Sequence, residues 1–161
     1  METIVTTPKP KYLSELAICL MEFKNASGRV YASIWWDPTY RLIVDVWEGA
    51  AGTPENFKAV LLKVLDFVKE FKAKRWLAEL SGMQGGFQKN EEWLKSFVMV
   101  KAEELGIEAE AVVMPGDIFA TFSTKNTVTF LKANSGSYKR LRIEAFSEVG
   151  KAWEWLMERC K

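Results

Sequence analysis

Histidine is absent from this 161-residue sequence. Its absence removes the side chain that most often serves as a general base near neutral pH and the commonest metal ligand, so serine-histidine and cysteine-histidine catalysis are excluded outright. Cysteine is scarce too: Cys19 and Cys160 stand far apart, with neither the close spacing of a zinc site nor the numbers for a disulfide framework. Free thiols in a reducing cytoplasm are the simpler reading. There is no excess of charge of one sign. Lysine and arginine number 22 against 21 acids, interspersed, which leaves no basic field to gather nucleic acid or an anionic membrane. No stretch approaches the ~18 uninterrupted apolar residues of a membrane span. The opening METIVTTPKPKYLSELAICLMEF also lacks the basic region, apolar run and small-residue cleavage site of a signal peptide. These absences predict a soluble, cytoplasmic protein without nucleic-acid partners, stable membrane insertion, metal or other cofactor.

What is present is core material: 48% of residues are hydrophobic and 13% aromatic, enough for one domain at this length. Residues 1–11, with prolines and lysines around TTPKPK, read as a flexible tail, and residues 12–161 as a single α/β domain. LAICLMEF reads as a first strand. RVYASIWW and YRLIVDVW, separated by Asp37-Pro38-Thr39, form a hairpin of aromatic and β-branched strands. In its second strand Ile43, Asp45 and Trp47 share one face, and Asp45 is expected to lie near solvent or to bond a backbone group.

Thr53-Pro54-Glu55 then caps a helix of about five turns, whose stripe of Phe57, Val60, Leu61, Val64, Leu65, Val68 and Phe71 faces inward. Leu62 and Phe67 fall off that stripe, so the apolar face is either wide or partly used against another chain. WLAEL within residues 75–80 reads as a strand covered on both faces, at the centre of the sheet. Beyond the glycine-bearing SGMQGGFQKN loop, Asn90 or a neighbour caps a helix from Glu91 to Leu105, with Trp93, Leu94, Phe97 and Val98 inward and Gly106 as its stop. Residues 109–114 form another buried strand. The 117–132 segment stays undecided, because Ile118, Phe119 and Phe122 suit a helical turn while four threonines weaken it. After the polar 134–137 loop, KRLRIEAF alternates as an edge strand with a solvated basic side, and Ser147 caps a final helix with Val149, Ala152, Trp153 and Leu156 inward. Strand-helix repeats of this length demand a mostly parallel sheet with helices packed on it, begun by the antiparallel hairpin.

The hairpin ending in VWEG, the block ENFKAVLLKVLDFVKEFKAKRWLAEL, the EEW helix start, GIEAEAVVMPGD and the closing FSEVGKAWEWL together resemble the SpoIIAA-like group of the STAS superfamily, the domains of sulfate transporters and anti-sigma-factor antagonists. The resemblance spans roughly residues 29–157 and implies the STAS mixed α/β sheet. In the anti-sigma antagonists a serine at the start of the helix after the central strand is phosphorylated by a partner kinase. The matching stretch here, QGGFQKNEEW, has Gln88, Lys89 and Asn90 there and no serine or threonine, and Ser81 lies too close to the strand end to replace it. The phosphoswitch is not carried over.

Ligands of parallel sheets gather beyond the carboxyl ends of the strands. Here that edge collects Glu79, Ser81, Asn90, Trp93 and Asp117 as a candidate binding site. Glu79, embedded in WLAEL, either serves proton transfer there or bonds the following loop. Glu79 with Asp117 has the make-up of a carboxylate pair for acid-base work or magnesium, although two acids at strand ends also arise by chance. SGMQGG lacks the lysine-serine ending of a phosphate loop. Seven tryptophans are an excess, and Trp35, Trp36 and Trp47 of the hairpin are a candidate interface. The sequence therefore predicts a non-enzymatic STAS-like regulatory module that meets a protein partner or itself as a homodimer. The alternative is a small-molecule or lipid-binding domain. An enclosed apolar cavity would favour the alternative, and a flat exposed tryptophan patch the module.

Overall fold

The computed structural model describes residues 6–85, 88–133, 138 and 140–159. Residues 1–5 of the expected tail, 86–87 of the glycine loop, the 134–137 loop and Cys160 lie outside them. Six strands form one sheet in sequential order: β1 (Ile18–Lys24), β2 (Val30–Asp37), β3 (Leu42–Gly49), β4 (Arg75–Met83), β5 (Ala109–Val113) and β6 (Arg142–Phe146). β1, β2 and β3 pair antiparallel, and β3 through β6 pair parallel, each parallel step bridged by a helix. The expected α/β architecture of a leading hairpin and strand-helix units is what forms. No helix among the described residues is long and apolar enough to cross a membrane.

Helix α1 (Pro54–Phe71) starts where its chemistry says it should: Thr53 accepts the Asn56 amide at its hydroxyl, and Pro54 occupies the first turn. It ends at Lys72, held in the left-handed region at φ 57°. Helix α2 covers residues 91–104, and here the structure departs from the expected continuous α-helix. A π segment, Leu94–Val98, interrupts it, with the Met99 amide reaching back to the Leu94 carbonyl. The extra residue per turn rotates the inward stripe to Leu94, Val98, Met99 and Ala102, which are buried, and leaves Phe97 41% exposed instead of inward. Asn90, at the head of this helix, is buried but makes no side-chain capping bond.

The undecided 117–132 segment is helical, as α3 (Ile118–Ala133). Threonine disfavours a helix mainly because its β-branch loses χ1 freedom, and within α3 the hydroxyls turn to carbonyls: Thr129 back-bonds to Lys125 at 2.9 Å and Thr121 bonds Pro115. Its buried side is correspondingly polar, with Ser123, Thr124 and Thr127 beside Ala120, Val128 and Leu131. Helix α4 (Val149–Arg159) closes the chain.

Strand alternation divides the interior in two. On one face Ile34, Trp36, Ile43, Trp47, Trp76 and Val112 pack beneath α1, α2 and α3. On the other, Trp35, Leu42, Val44, Leu77, Ala111 and Val113 pack beneath α4 and the segment ahead of β1, whose Leu13 and Ala17 are buried. That segment is anchored by Ser14, whose amide and hydroxyl both donate to Asp37 at 2.7 and 2.6 Å. Further back, Thr6 and Thr7 donate to the Glu22 carboxylate. The tail composition did not announce this attachment.

Gly82 of β4 has one allowed occupant. A side-chain carbon there would sit 2.8 Å from the Trp47 carbonyl, beside the register shift between Val46 and Glu48.

Candidate functional site

Of the five residues expected at the strand ends, Glu79 and Ser81 meet, the serine hydroxyl donating to the carboxylate within β4 itself, and the Ser81 carbonyl accepts the Gly116 amide beside Asp117 at 3.1 Å. Asp117 caps α3 by accepting the Ala120 amide at 2.9 Å. Trp93 lies on the side of α2 turned to α1, under the Lys58 ammonium at 5.3 Å and stacked on Phe97 at 5.9 Å. Asn90 borders a surface cleft of about 390 Å³ beside Ala51, Phe57, Met83 and Lys89. Among the described residues no group of three or more acidic or cysteine side chains could hold a metal ion.

The hairpin tryptophans are not a surface either. Trp35, Trp36 and Trp47 are 3%, 7% and 1% exposed. Trp35 and Trp36 do point to opposite faces, but the face of Trp35 is covered by the chain's own Leu13 and Ala17, together with α4. That covering was hidden in a segment whose composition reads as loop.

The polar groups that stand out are in the middle of the sheet. Asp45, expected near solvent, is 1% exposed because both faces of the sheet are covered and β3 is interior. The Trp47 indole donates to its Oδ2 at 2.6 Å and the Trp76 indole to its Oδ1 at 2.5 Å. Burial pushes its carboxyl up to about 6, against the pull of the two indole hydrogen bonds, and the nearby Glu79 charge adds to the rise. Glu110 of β5 is 6% exposed. Burial first, and the Asp45 charge second, raise its carboxyl well above the usual range. No described residue donates a hydrogen bond to it. Tyr138 is raised to about 12 by burial and by the Glu110 charge, and gives its own hydroxyl proton to the Leu131 carbonyl.

The register explains how two acids two strands apart come to share a space. Asp45, Ala78 and Val112 form one rung across β3, β4 and β5, and Trp76 pairs with Glu110 one step before it. Ala78 is the small residue of that rung. Above it lies a cavity of about 50 Å³, walled at the sheet by Asp45, Trp76 and Glu110. Phe57 and Leu61 of α1, Leu94, Val98 and Met99 of α2, and Thr127 and Val128 of α3 form its roof. The π turn thus stands directly over the carboxyls. Thr127 faces the space but has already given its proton to Glu91, at 2.8 Å.

An apolar chamber with two acids is a place to hold a small polar group away from water, and Glu110 is the acid free to do so. Sequence reading noticed Asp45 but expected it near solvent or bonded to a backbone group, and it passed over Glu110. The available signal was the same for both: a single acid inside an otherwise apolar run, VDVW and AEAVV, in strands that the topology makes interior. Compared with family models, curated proteins and solved structures, the chain gives no match.

Proposed function

We propose that this chain is a small-ligand-binding domain, non-enzymatic, built on a STAS-like sheet, with its site in the chamber between the sheet and helices α1 to α3. The observation that carries this reading is Glu110: a carboxyl 6% exposed, without a hydrogen-bond donor among the described residues, opening onto an apolar cavity. The Glu110 oxygens are not among the side-chain atoms sealed in without a partner, so they are open to a guest, and leaving them unpaired would cost about 1–3 kcal/mol, more if charged. The π turn over the chamber agrees, since such turns occur frequently at functional sites. The sequential strand order supports the STAS likeness of the frame.

Native mass spectrometry of the protein purified from its own host, first gentle and then denaturing, tests the reading. A small molecule should be retained and then lost on denaturation. Ala78→Val, which fills the chamber with two methyl groups, should abolish retention while leaving the fold intact. Equal retention by the valine variant would place the ligand elsewhere and sink the proposal.

A second reading, the protein-interaction module, has its own support on the outer surface. One helical turn beyond the Lys58–Trp93 pair stand Leu62 and Phe97, 44% and 41% exposed. This is where the off-stripe Leu62 leads, and a shift from dimer to monomer on Leu62→Lys, read by light scattering, would support it.

A further inference from the structure

We infer that the chamber between Asp45 and Glu110 takes the charged end of a small alkylammonium ion; the inference rests on the ligand-binding reading and names the class of ligand. The argument is an inventory of what the walls offer. Three polar side chains line the cavity: Asp45, Glu110 and Thr127. No lysine or arginine is among them. The two indole protons nearby are spent on Asp45 and the Thr127 proton on Glu91. Once Glu110 is ionised, a guest meets acceptors without free donors, and its polar end must itself donate.

Charge decides which donor. Glu110 is more than nine-tenths buried, faces the cavity and has no partner among the described residues, while Asp45 lies in the same enclosure. An alcohol or amide can bond the carboxylate but leaves its charge uncompensated in an apolar setting, whereas an ammonium compensates it, makes the stronger, charge-assisted bond and so releases to solvent the proton that burial otherwise holds on Glu110. The rings of Trp47, Phe57 and Trp76 belong to the same wall, and aromatic faces attract ammonium groups. Size limits the rest. At about 50 Å³ the chamber is well below the ~150 Å³ that accommodates benzene, so the enclosed part of the guest has about two to four heavy atoms.

The test uses the intact chain and its own sensors, the Trp47 and Trp76 indole N–H signals in a nitrogen-proton correlation spectrum, because both protons are donated to Asp45. Ethylammonium chloride is titrated in, with ethanol as the neutral match in size and sodium chloride as the salt control. Ethylammonium should move the two signals to saturation, ethanol should bind at least about tenfold more weakly, and sodium chloride should leave them in place. Glu110→Gln should weaken ethylammonium by about 10- to 100-fold, the worth of one charge-assisted hydrogen bond. Should that variant fail to fold, Ala78→Val, which leaves both acids in place, must erase the ethylammonium response. Ethanol binding as tightly as ethylammonium would overturn the cationic ligand and leave a ligand site standing. Silence from both would overturn the ligand site as well. Ethylammonium binding unchanged by Glu110→Gln would overturn the role of Glu110.

Discussion

Replacing Asp45 by asparagine should change how stability depends on pH, and the size of the change follows from the site. The parent carboxyl is held at about 6 in the fold against an ordinary value of 3.8. A group raised in this way contributes its full stability below the unfolded value and loses it as pH rises through the folded one. The parent should therefore be most stable, in this respect, near pH 4, and lose about 3 kcal/mol by pH 8, at 1.36 kcal/mol for each pH unit between the two values. Asparagine cannot ionise, but it offers one acceptor oxygen where two indole N–H groups donate, so one of those hydrogen bonds is lost. Asp45→Asn should therefore be less stable than the parent near pH 4, by about 1–3 kcal/mol, and should gain about 3 kcal/mol relative to the parent between pH 4 and pH 8. Glu79, whose charge adds to the rise at Asp45, remains in both proteins, and because the Asp45 charge in turn helps to raise Glu110, the difference between the two curves reports residue 45 together with its coupling to Glu110. Urea unfolding followed by tryptophan fluorescence at half-unit steps of pH gives both curves. A difference that stays flat from pH 4 to 8 would refute the account of Asp45 as a buried acid held against its burial cost.

Thr53→Ala removes the hydroxyl that accepts the Asn56 amide at 3.1 Å, and should lower stability by about 1 kcal/mol in urea, with Thr53→Ser recovering most of it. Leu156→Ala, at a position 0% exposed on α4 in the second core, should cost about 2–5 kcal/mol, and a loss under 1 kcal/mol would mean that α4 does not seal that face.

The elements that are legible from sequence are those whose signal is local. The Thr53-Pro54 cap, the α1 stripe, the hairpin around Asp37 and the alternation of β6 each follow from a few neighbouring residues, and each forms where expected. The departures have nonlocal causes. Four threonines argued against α3 on propensity, but residues 118–133 gain a helix by covering the sheet, and packing outweighs preferences of a few tenths of a kcal/mol per residue. Phe97 falls inward on a 3.6-residue repeat and outward once the π turn adds a residue, and no simple pattern in LKSFV marks that turn. Asp45 looked solvated because its strand alternates; only the covering of both faces, by helices and by the Leu13–Ala17 segment, reverses the inference. The candidate site was illegible for a related reason. Asp45 and Glu110 are 65 residues apart in sequence, and it takes the β3–β4–β5 register to put them on either side of Ala78.

The two faces of the sheet are built from different materials, and the contrast bears on function. Beneath α4 the interior of Leu42, Val44, Leu77, Ala109, Ala111 and Val113 is apolar around two buried polar groups that are both bonded, Ser33 to the Trp35 indole and Asp37 to Ser14, and the Tyr12 hydroxyl. Beneath α1 to α3 the interior also includes Asp45, Glu110, Ser123, Thr124 and Thr127. The hydroxyls of Ser123 and Thr124 have no hydrogen-bond partner among the described residues. Replacing buried charged groups by apolar side chains of similar volume is often neutral or stabilising, so stability alone gives little reason to keep two acids there. The acids are also not interchangeable. Asp45 is satisfied by two indoles and resembles a structural fixture, whereas Glu110 is left open toward the void that Ala78 creates. An acid that opens on a cavity, under a roof that includes a π turn and a hydroxyl-lined helix, is what the proposed binding chamber requires.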